Sequence, residues 1–459
     1  MIKRYEKYKE SGIEWLGEIP EHWVSCKLKH IGEIKGRIGF KGYSVTDLVD
    51  EDTEGRAIVL GGTNVMKSGF LSYEKLTYLS EFKYLESPEI ILNGGEILIT
   101  KVGAGVGENA IYFHNGERVT INPNVMIFVP NQNSLSAFIN YFLLSDLVKS
   151  SILLESRKSG AQPAINQSYI KSVAISLPTL TEQTQIANFL DFKTTIIDDL
   201  IGQKEKLINL LKEKRQAIIN EAVTKGLNPN AKMKDSGIEW LGEIPEEWKV
   251  LKLKYLLRNQ DGIKIGPFGS ALKLEMMVED GYKVYGQENA IKDNFEIGKR
   301  YITQEKFLEM ESYKLQPGDI IVTMMGTTGK SKVVPENIQD GIMDSHLIRI
   351  RVSDLIIPEL LALLINDSDY IKTQLDGISK GAIMTGLNSV IIKSLNIIVP
   401  PKESQKELLK EIDRRLDSIF MIMKNTLTQI TKLKDYRQSL ISEAVTGKID
   451  VRDWKPTNN

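Results

Sequence analysis

Residues 11–21 read SGIEWLGEIPE, and residues 236–246 read SGIEWLGEIPE again without a single change. The two copies lie 225 positions apart in a chain of 459 residues, close to half its length. An exact eleven-residue match is not a chance event, so the chain is an internal duplication, and the repeat frames every other reading of it. Further echoes lie at nearly constant offsets. Gly61-Gly62-Thr63-Asn64 answers to Gly286-Gln287-Glu288-Asn289, and Gly95–Thr100 answers to Gly318–Thr323. Ile175–Pro178 answers to Ile397–Pro400. Between these points, residues 32–158 and 257–380 align poorly: the edges and scaffold strands match while the interiors differ.

Within each half, short β-branched runs are broken by loops. The pattern predicts strands over Ala57–Leu60, Glu89–Leu92, Glu96–Val102 and Val125–Val129. In the second half it predicts Tyr282–Tyr285, Asp319–Met324 and Leu347–Val352. After Pro178 and Pro400 the pattern turns helical, with Thr181 and Ser404 as N-cap candidates and Gly226 and Gly447 as stops. Both segments carry a heptad. One seam takes Ala187, Thr194, Ile201, Ile208, Arg215 and Ala222, against Leu409, Leu416, Met423, Ile430, Arg437 and Ala444. The other takes Leu190, Ile197, Lys204, Leu211 and Ile218, against Ile412, Ile419, Thr426, Leu433 and Leu440.

Two helices of matching length pair most simply as an antiparallel coiled coil. At about 1.5 Å per residue each is roughly 65 Å long. The expected fold is therefore α+β: two α/β domains separated by two long helices, with a pseudo-two-fold internal repeat. The expected boundaries are 1–177, central helix 178–226, 227–399, distal helix 400–447 and a frayed tail 448–459. Such a rod can hold two heads along duplex DNA, which advances about 34 Å per turn. Trp15 and Trp240, with Pro20 and Pro245, are expected to seat each head against the helices.

Composition narrows the function. Apolar residues make 42% and charged residues 26%, ordinary for a globular chain, with no apolar run near the roughly 18 residues of a membrane span. The basic N-terminus has no apolar core behind it, so a cytoplasmic protein is expected. Cys26 is the only cysteine, and His22, His30, His114 and His346 show no metal-ligand spacing. A net charge of −1 argues against a solitary strong DNA binder, though not against a basic face or partners that supply charge.

The catalytic motifs are decoys. The only Pro-Pro pair, Pro400-Pro401, serves as a pre-helix stop, and Asn122-Pro123-Asn124-Val125 lacks the second proline and the aromatic of an adenine methylase turn. Gly103–Gly107 does not lead into a helix, as a dinucleotide site requires. Gly326–Ser331 has Met324 where a P-loop needs glycine. Glu33-Ile34-Lys35 lacks the partner aspartate of a nuclease site. No enzyme is expected.

Candidate nucleic-acid contacts lie in equivalent loops. Thr63, Asn64, Gln287 and Asn289 follow a strand, and amides can read adenine in a bidentate manner. Lys101, Lys330 and Ser331 lie in or beside glycine-rich loops, and Arg157, Lys158 and Lys380 lie by a second turn-rich stretch, as phosphate candidates.

The SGIEWLGEIPEHW opening resembles specificity subunits of type I restriction–modification systems. So do the helix starts from Pro178 to Gln183 and from Pro400 to Gln405, and the Arg-Gln…Glu-Ala-Val-Thr helix ends. The resemblance covers the whole chain. It implies a bipartite, asymmetric double-stranded DNA target, with one half-site per recognition domain. It also implies docking of two methyltransferase subunits through the helices, with restriction/translocase subunits in the full complex. S-adenosylmethionine and ATP would then sit on partner subunits and no cofactor on this chain. The seam residues Leu190, Ile197, Leu211, Arg215, Ile218, Ile412, Ile419, Leu433, Arg437 and Leu440 become the partner-binding or pairing set. The competing expectation is a coiled-coil scaffold joining two protein-binding modules, which would lack the steep salt dependence of phosphate contacts.

Overall fold

The computed structural model describes residues 3–37, 39–160, 162–259, 261–268, 270–379 and 387–456. The chain packs as two compact units, residues 1–205 with 427–459, and residues 206–426.

In the first unit, Gly32–Gly36, Val125–Pro130, Ile97–Thr100 and Asn109–Ile111 form one antiparallel sheet. A second sheet runs Val119–Ile121, Ala57–Leu60, Thr77–Leu79, Leu48–Val49, with Val119 parallel to Ile58. Every side chain of Ala57–Leu60 and Ile97–Thr100 is buried, as expected of apolar runs covered on both faces. Leu60, Leu98, Tyr112, Val119 and Ile127 meet in one core. The expected strand Glu89–Leu92 is instead a 3-10 turn, Pro88–Ile90, followed by extended chain. Pro88 fixes its own φ and offers no N–H to a ladder, and Ile90 and Leu92 plug the core from the turn.

The second unit repeats this plan. Ile263–Ile265, Leu347–Ile350, Ile320–Thr323 and Ser331–Val333 form the antiparallel sheet, and Tyr282–Tyr285 runs parallel to Gly341–Met343 in the other. In each unit the strand after the repeated motif pairs with the strand before the helix: Val24 with Leu177, Lys249 with Val399.

The central helix spans Leu180–Lys225 and the distal helix Lys402–Val445. In the first unit Arg437 meets Asp198 at 2.9 Å, Lys434 meets Glu205 at 3.7 Å, and Lys204 donates to Gln429 at 2.6 Å, so the two helices are antiparallel. In the second unit Ile219, Ala222 and Val223 share a core with Leu408 and Ile412, in the same antiparallel sense. Leu190, Ile197, Leu211, Ile412, Ile419 and Leu440 are buried, as the heptad requires. Ile218 and Leu433 are only half-buried, while Ile219 and Ile441 take the fully buried places near the helix ends. A helix drifts by about 20° per heptad against a strict 3.5 repeat, which moves the seam by one position over this length.

Gly226 and Gly447 follow the helices at φ 76° and 73°, the left-handed stop that glycine takes without strain. The starts lie earlier than expected. Thr179, not Thr181, accepts from Glu182 N at 3.4 Å, and Ser404 lies inside the first turn of its helix.

The repeated motif and the tail also differ from expectation. Trp15 and Trp240 remain 39% and 47% exposed, whereas Trp23 and Trp248 are 0% and 7%. Trp23 and Pro20 crowd Gly447, and Trp248 and Pro245 crowd Gly226, so the later tryptophans seat the domains. The tail is packed where it is described. Lys3 bridges Asp450, Ile449 and Val451 are buried, and the Trp454 ring lies 5.3 Å from Phe189 and 5.4 Å from Phe192.

Candidate nucleic-acid interface

Four sequence-distant loops meet at one end of the first domain. Lys101 N donates to Asn124 O at 2.8 Å, Ile165 N to Lys101 O at 2.8 Å, and Gly103 N to Pro163 O at 3.0 Å. A Cβ on Gly61 would strike the Asn122 amide, and one on Gly62 the Thr100 methyl, so glycine lets loop 61–64 lie against both neighbours. The resulting rim carries Thr63, Lys101, Asn122 and Asn124. Thr63 and Asn124 are exposed, and Lys101 and Asn122 half-buried. Desolvation pushes the Lys101 ammonium below its ordinary pKa.

The second domain builds the same junction from other side chains. Met324 N donates to His346 O at 2.9 Å and Leu387 N to Met324 O at 3.2 Å, matching the Lys101 pair. Asp344 stands where Asn122 stands and His346 where Asn124 stands, both offset by 222. Asp344 is buried and pairs with Arg300 at 3.0 Å, and Arg300 also pairs with Glu288 at 3.0 Å. His346 is exposed, with its backbone N donating to Asp344 Oδ1 at 2.9 Å.

Several expected contact residues have other duties. Asn64 Oδ1 accepts from Gly61 N at 2.9 Å, and its Nδ2 donates to Ser72 O at 3.0 Å and Lys75 O at 3.1 Å. Asn289 repeats this with Gly286 N, Asn294 O and Ile297 O. Both are buried turn-holders with their amide edges occupied by the chain itself, which removes them from the base-reading set. Ser331 is buried too, its Oγ donating to Ala362 O at 2.9 Å, so it cannot reach a phosphate. Gln287 is half-buried and its Oε1 has no partner. Lys330 and Arg157 are exposed, and Lys158 is exposed beside Glu155 at 2.7 Å. Lys380 lies outside the described residues. Asn122, Asn124, Asp344 and His346 were not among the sequence candidates, although the 222 offset aligns them.

The helix signatures acquire a physical meaning in the clamps beside these domains. Gln183 is fully buried: its Nε2 donates to Pro178 O at 3.0 Å and Asn133 O at 3.2 Å, and its Oε1 accepts from Leu135 N at 2.8 Å. Gln405 does the same with Pro400 O, Leu355 O and Ile357 N. At the helix ends, Gln438 donates to Leu144 O at 2.6 Å, and Gln216 donates to Asp367 O. Each thereby satisfies a carbonyl at the end of a short domain helix, Ser136–Leu144 or Pro358–Asp367. Arg215 forks onto Asp367 at 2.9 and 3.1 Å, whereas Arg437 reaches Asp198 and Ser68 O. Among the described residues no group of His, Cys, Asp and Glu could hold a metal, and no single helix is long and apolar enough to cross a membrane.

The chain is an internal duplication with two matching α/β domains, each packed against antiparallel stretches of the two long helices. The chain belongs to the type I restriction modification DNA specificity domain family, whose model matches residues 20–210 and 245–432. It is 27% identical to the type I restriction enzyme MjaVIII specificity subunit of Methanocaldococcus jannaschii, over 99% of both chains. It is 20% identical to the EcoKI specificity subunit of Escherichia coli, over 96% of this chain and 92% of that one. A solved structure from work on complex assembly and conformational transition of the type I R-M system shares the fold. It matches at TM-score 0.69 and 13% identity, covering 93% of this chain and 98% of that one.

Proposed function

We propose that this specificity-subunit chain reads a bipartite, asymmetric DNA target in the cytoplasm, one half-site per domain, and catalyses nothing itself. The reading domains are residues 1–177 and 227–399. The carrying observation is that two heads share one loop junction yet build it with Lys101, Asn122 and Asn124 in one, and with Met324, exposed His346 and an Asp344 buried against Arg300 in the other. Equal scaffolds with unequal rims suit two different half-sites. Side-chain amides can pair with adenine, and exposed Arg157, Lys158 and Lys330 would contact phosphates. The long helices would dock two methyltransferase subunits. Ile196 and Leu200 on the central helix, and Phe420, Met421 and Ile422 on the distal one, are large apolar side chains left exposed. S-adenosylmethionine and ATP chemistry would belong to those partners and to restriction/translocase subunits. Methylome sequencing of the host with and without this gene tests the reading. A split motif should lose its methylation on deletion; an unchanged set of modified motifs, with the methyltransferase expressed, would overturn it.

A further inference from the structure

The two domain seats occupy corresponding positions in the repeat but differ in what fills them. In the first unit two chain segments meet beside Gly447: the arm leading to Tyr8–Glu10 and the tail leaving the distal helix, joined where Asp450 N donates to Lys3 O at 2.8 Å. Beneath them Glu182, nearly fully buried, accepts from Tyr5 Oη at 2.6 Å, Trp23 Nε1 at 3.1 Å and His22 Nε2 at 2.8 Å. In the second unit one short linker, residues 227–232, runs from Gly226 to the ribbon Met233–Asp235. The place of a second segment is open. It is a cavity of about 500 Å³ lined by Trp248, Pro245, Leu408, Ser404, Lys225 and Lys232, with Glu246, Glu247 and Glu407 also on its wall.

The chemistry of the wall specifies what is missing. Position 404 corresponds to Glu182 but holds serine, and position 230 corresponds to Tyr5 but holds asparagine. Trp248 corresponds to Trp23 and is 7% exposed, yet its indole N–H donates to no described residue, where Trp23 has a carboxylate. Trp248 also lines the cavity, where an acceptor can reach it. We propose that this cavity receives an extended peptide segment of a partner protein, whose carboxylate accepts from Trp248 Nε1 and Ser404 Oγ. The segment occupies the place that residues 448–454 take in the first unit. Its other residues carry positive charge toward the three glutamates, as Lys448 and Arg452 flank Asp450 in the internal example. The inference rests on the proposed assembly with methyltransferase subunits only for the choice of probe.

Short overlapping peptides covering the cognate methyltransferase subunit, labelled for fluorescence anisotropy, are titrated against the full chain and two variants. Ser404→Glu supplies the carboxylate from within, at a helix start that favours an acid. Ala231→Trp fills the cavity. At least one peptide containing Asp or Glu should saturate the unaltered chain and bind both variants about tenfold more weakly, with denaturation midpoints no lower than that of the unaltered chain. The proposal is overturned if no peptide saturates, or if the one that does binds the variants equally. Should that happen while the methyltransferase still co-purifies and methylates a split motif, the proposed function stands and this inference alone falls.

Discussion

The two halves of this chain agree where they hold themselves together and disagree where they face outward. Gln183 and Gln405 make the same three hydrogen bonds, Asn64 and Asn289 the same three, and Gly447 and Gly226 the same left-handed stop against a tryptophan and a proline. At the loop junction Lys101 corresponds to Met324, Asn122 to Asp344 and Asn124 to His346, on matching backbone hydrogen bonds. Identical buried polar groups have no freedom to vary, because each lost partner strands another. Exposed Asn124 and His346 carry no such constraint, and the buried Asp344 brings its own partner, Arg300.

That contrast can be broken at several points. The largest effect should come from Trp23→Ala, which empties a fully buried site and removes one of the three donors to Glu182; about 3–5 kcal/mol should be lost in chemical denaturation. Trp15→Ala, in the same repeated stretch but 39% exposed, should cost far less, under about 1 kcal/mol. Equal losses would refute the assignment of Trp23 as the seat. Gln183→Leu and Gln405→Leu should each cost about 1–3 kcal/mol by leaving buried N–H and C=O groups unpaired, and should do so alike in both halves. Asn64→Ala should lower stability without changing the bases read. Asn124→Ala should leave the denaturation midpoint in place and relax one half-site, by about 1–3 kcal/mol if it makes a bidentate contact. The smallest effect is expected at Asp450. Burial raises its pKa, but hydrogen bonds from Arg452 outweigh burial and hold it below the ordinary value. A depressed pKa contributes stability that is present above the unfolded-state value of about 3.9 and lost as pH falls through the folded value. Asp450→Asn should therefore lower the first unit's stability modestly at neutral pH and flatten its acid limb, with little change below the folded pKa.

Much of the framework was legible in the sequence because duplication writes it twice. Constant offsets located the strands Ala57–Leu60 and Tyr282–Tyr285, both glycine stops and the antiparallel helices. Pro88 misled because an apolar run around a proline can fill a core from a turn as well as from a strand. The motif tryptophans misled because repetition marks a shared position and says nothing of burial: Trp15 and Trp23 recur equally. The site was less legible. Asparagines after a strand look the same whether they face a base or tie a turn, and only the carbonyls of Ser72, Lys75, Asn294 and Ile297 decide the matter. The rim at Asn122 and Asn124 escaped because loops distant in sequence assemble it.

The central claim, one half-site per domain, is tested most directly by replacing residues 32–158 with the corresponding segment of another specificity subunit and sequencing the methylated motifs with the cognate methyltransferase present. One half of the split motif should change while the other half stays the same; a change in both halves, or in neither, would contradict it.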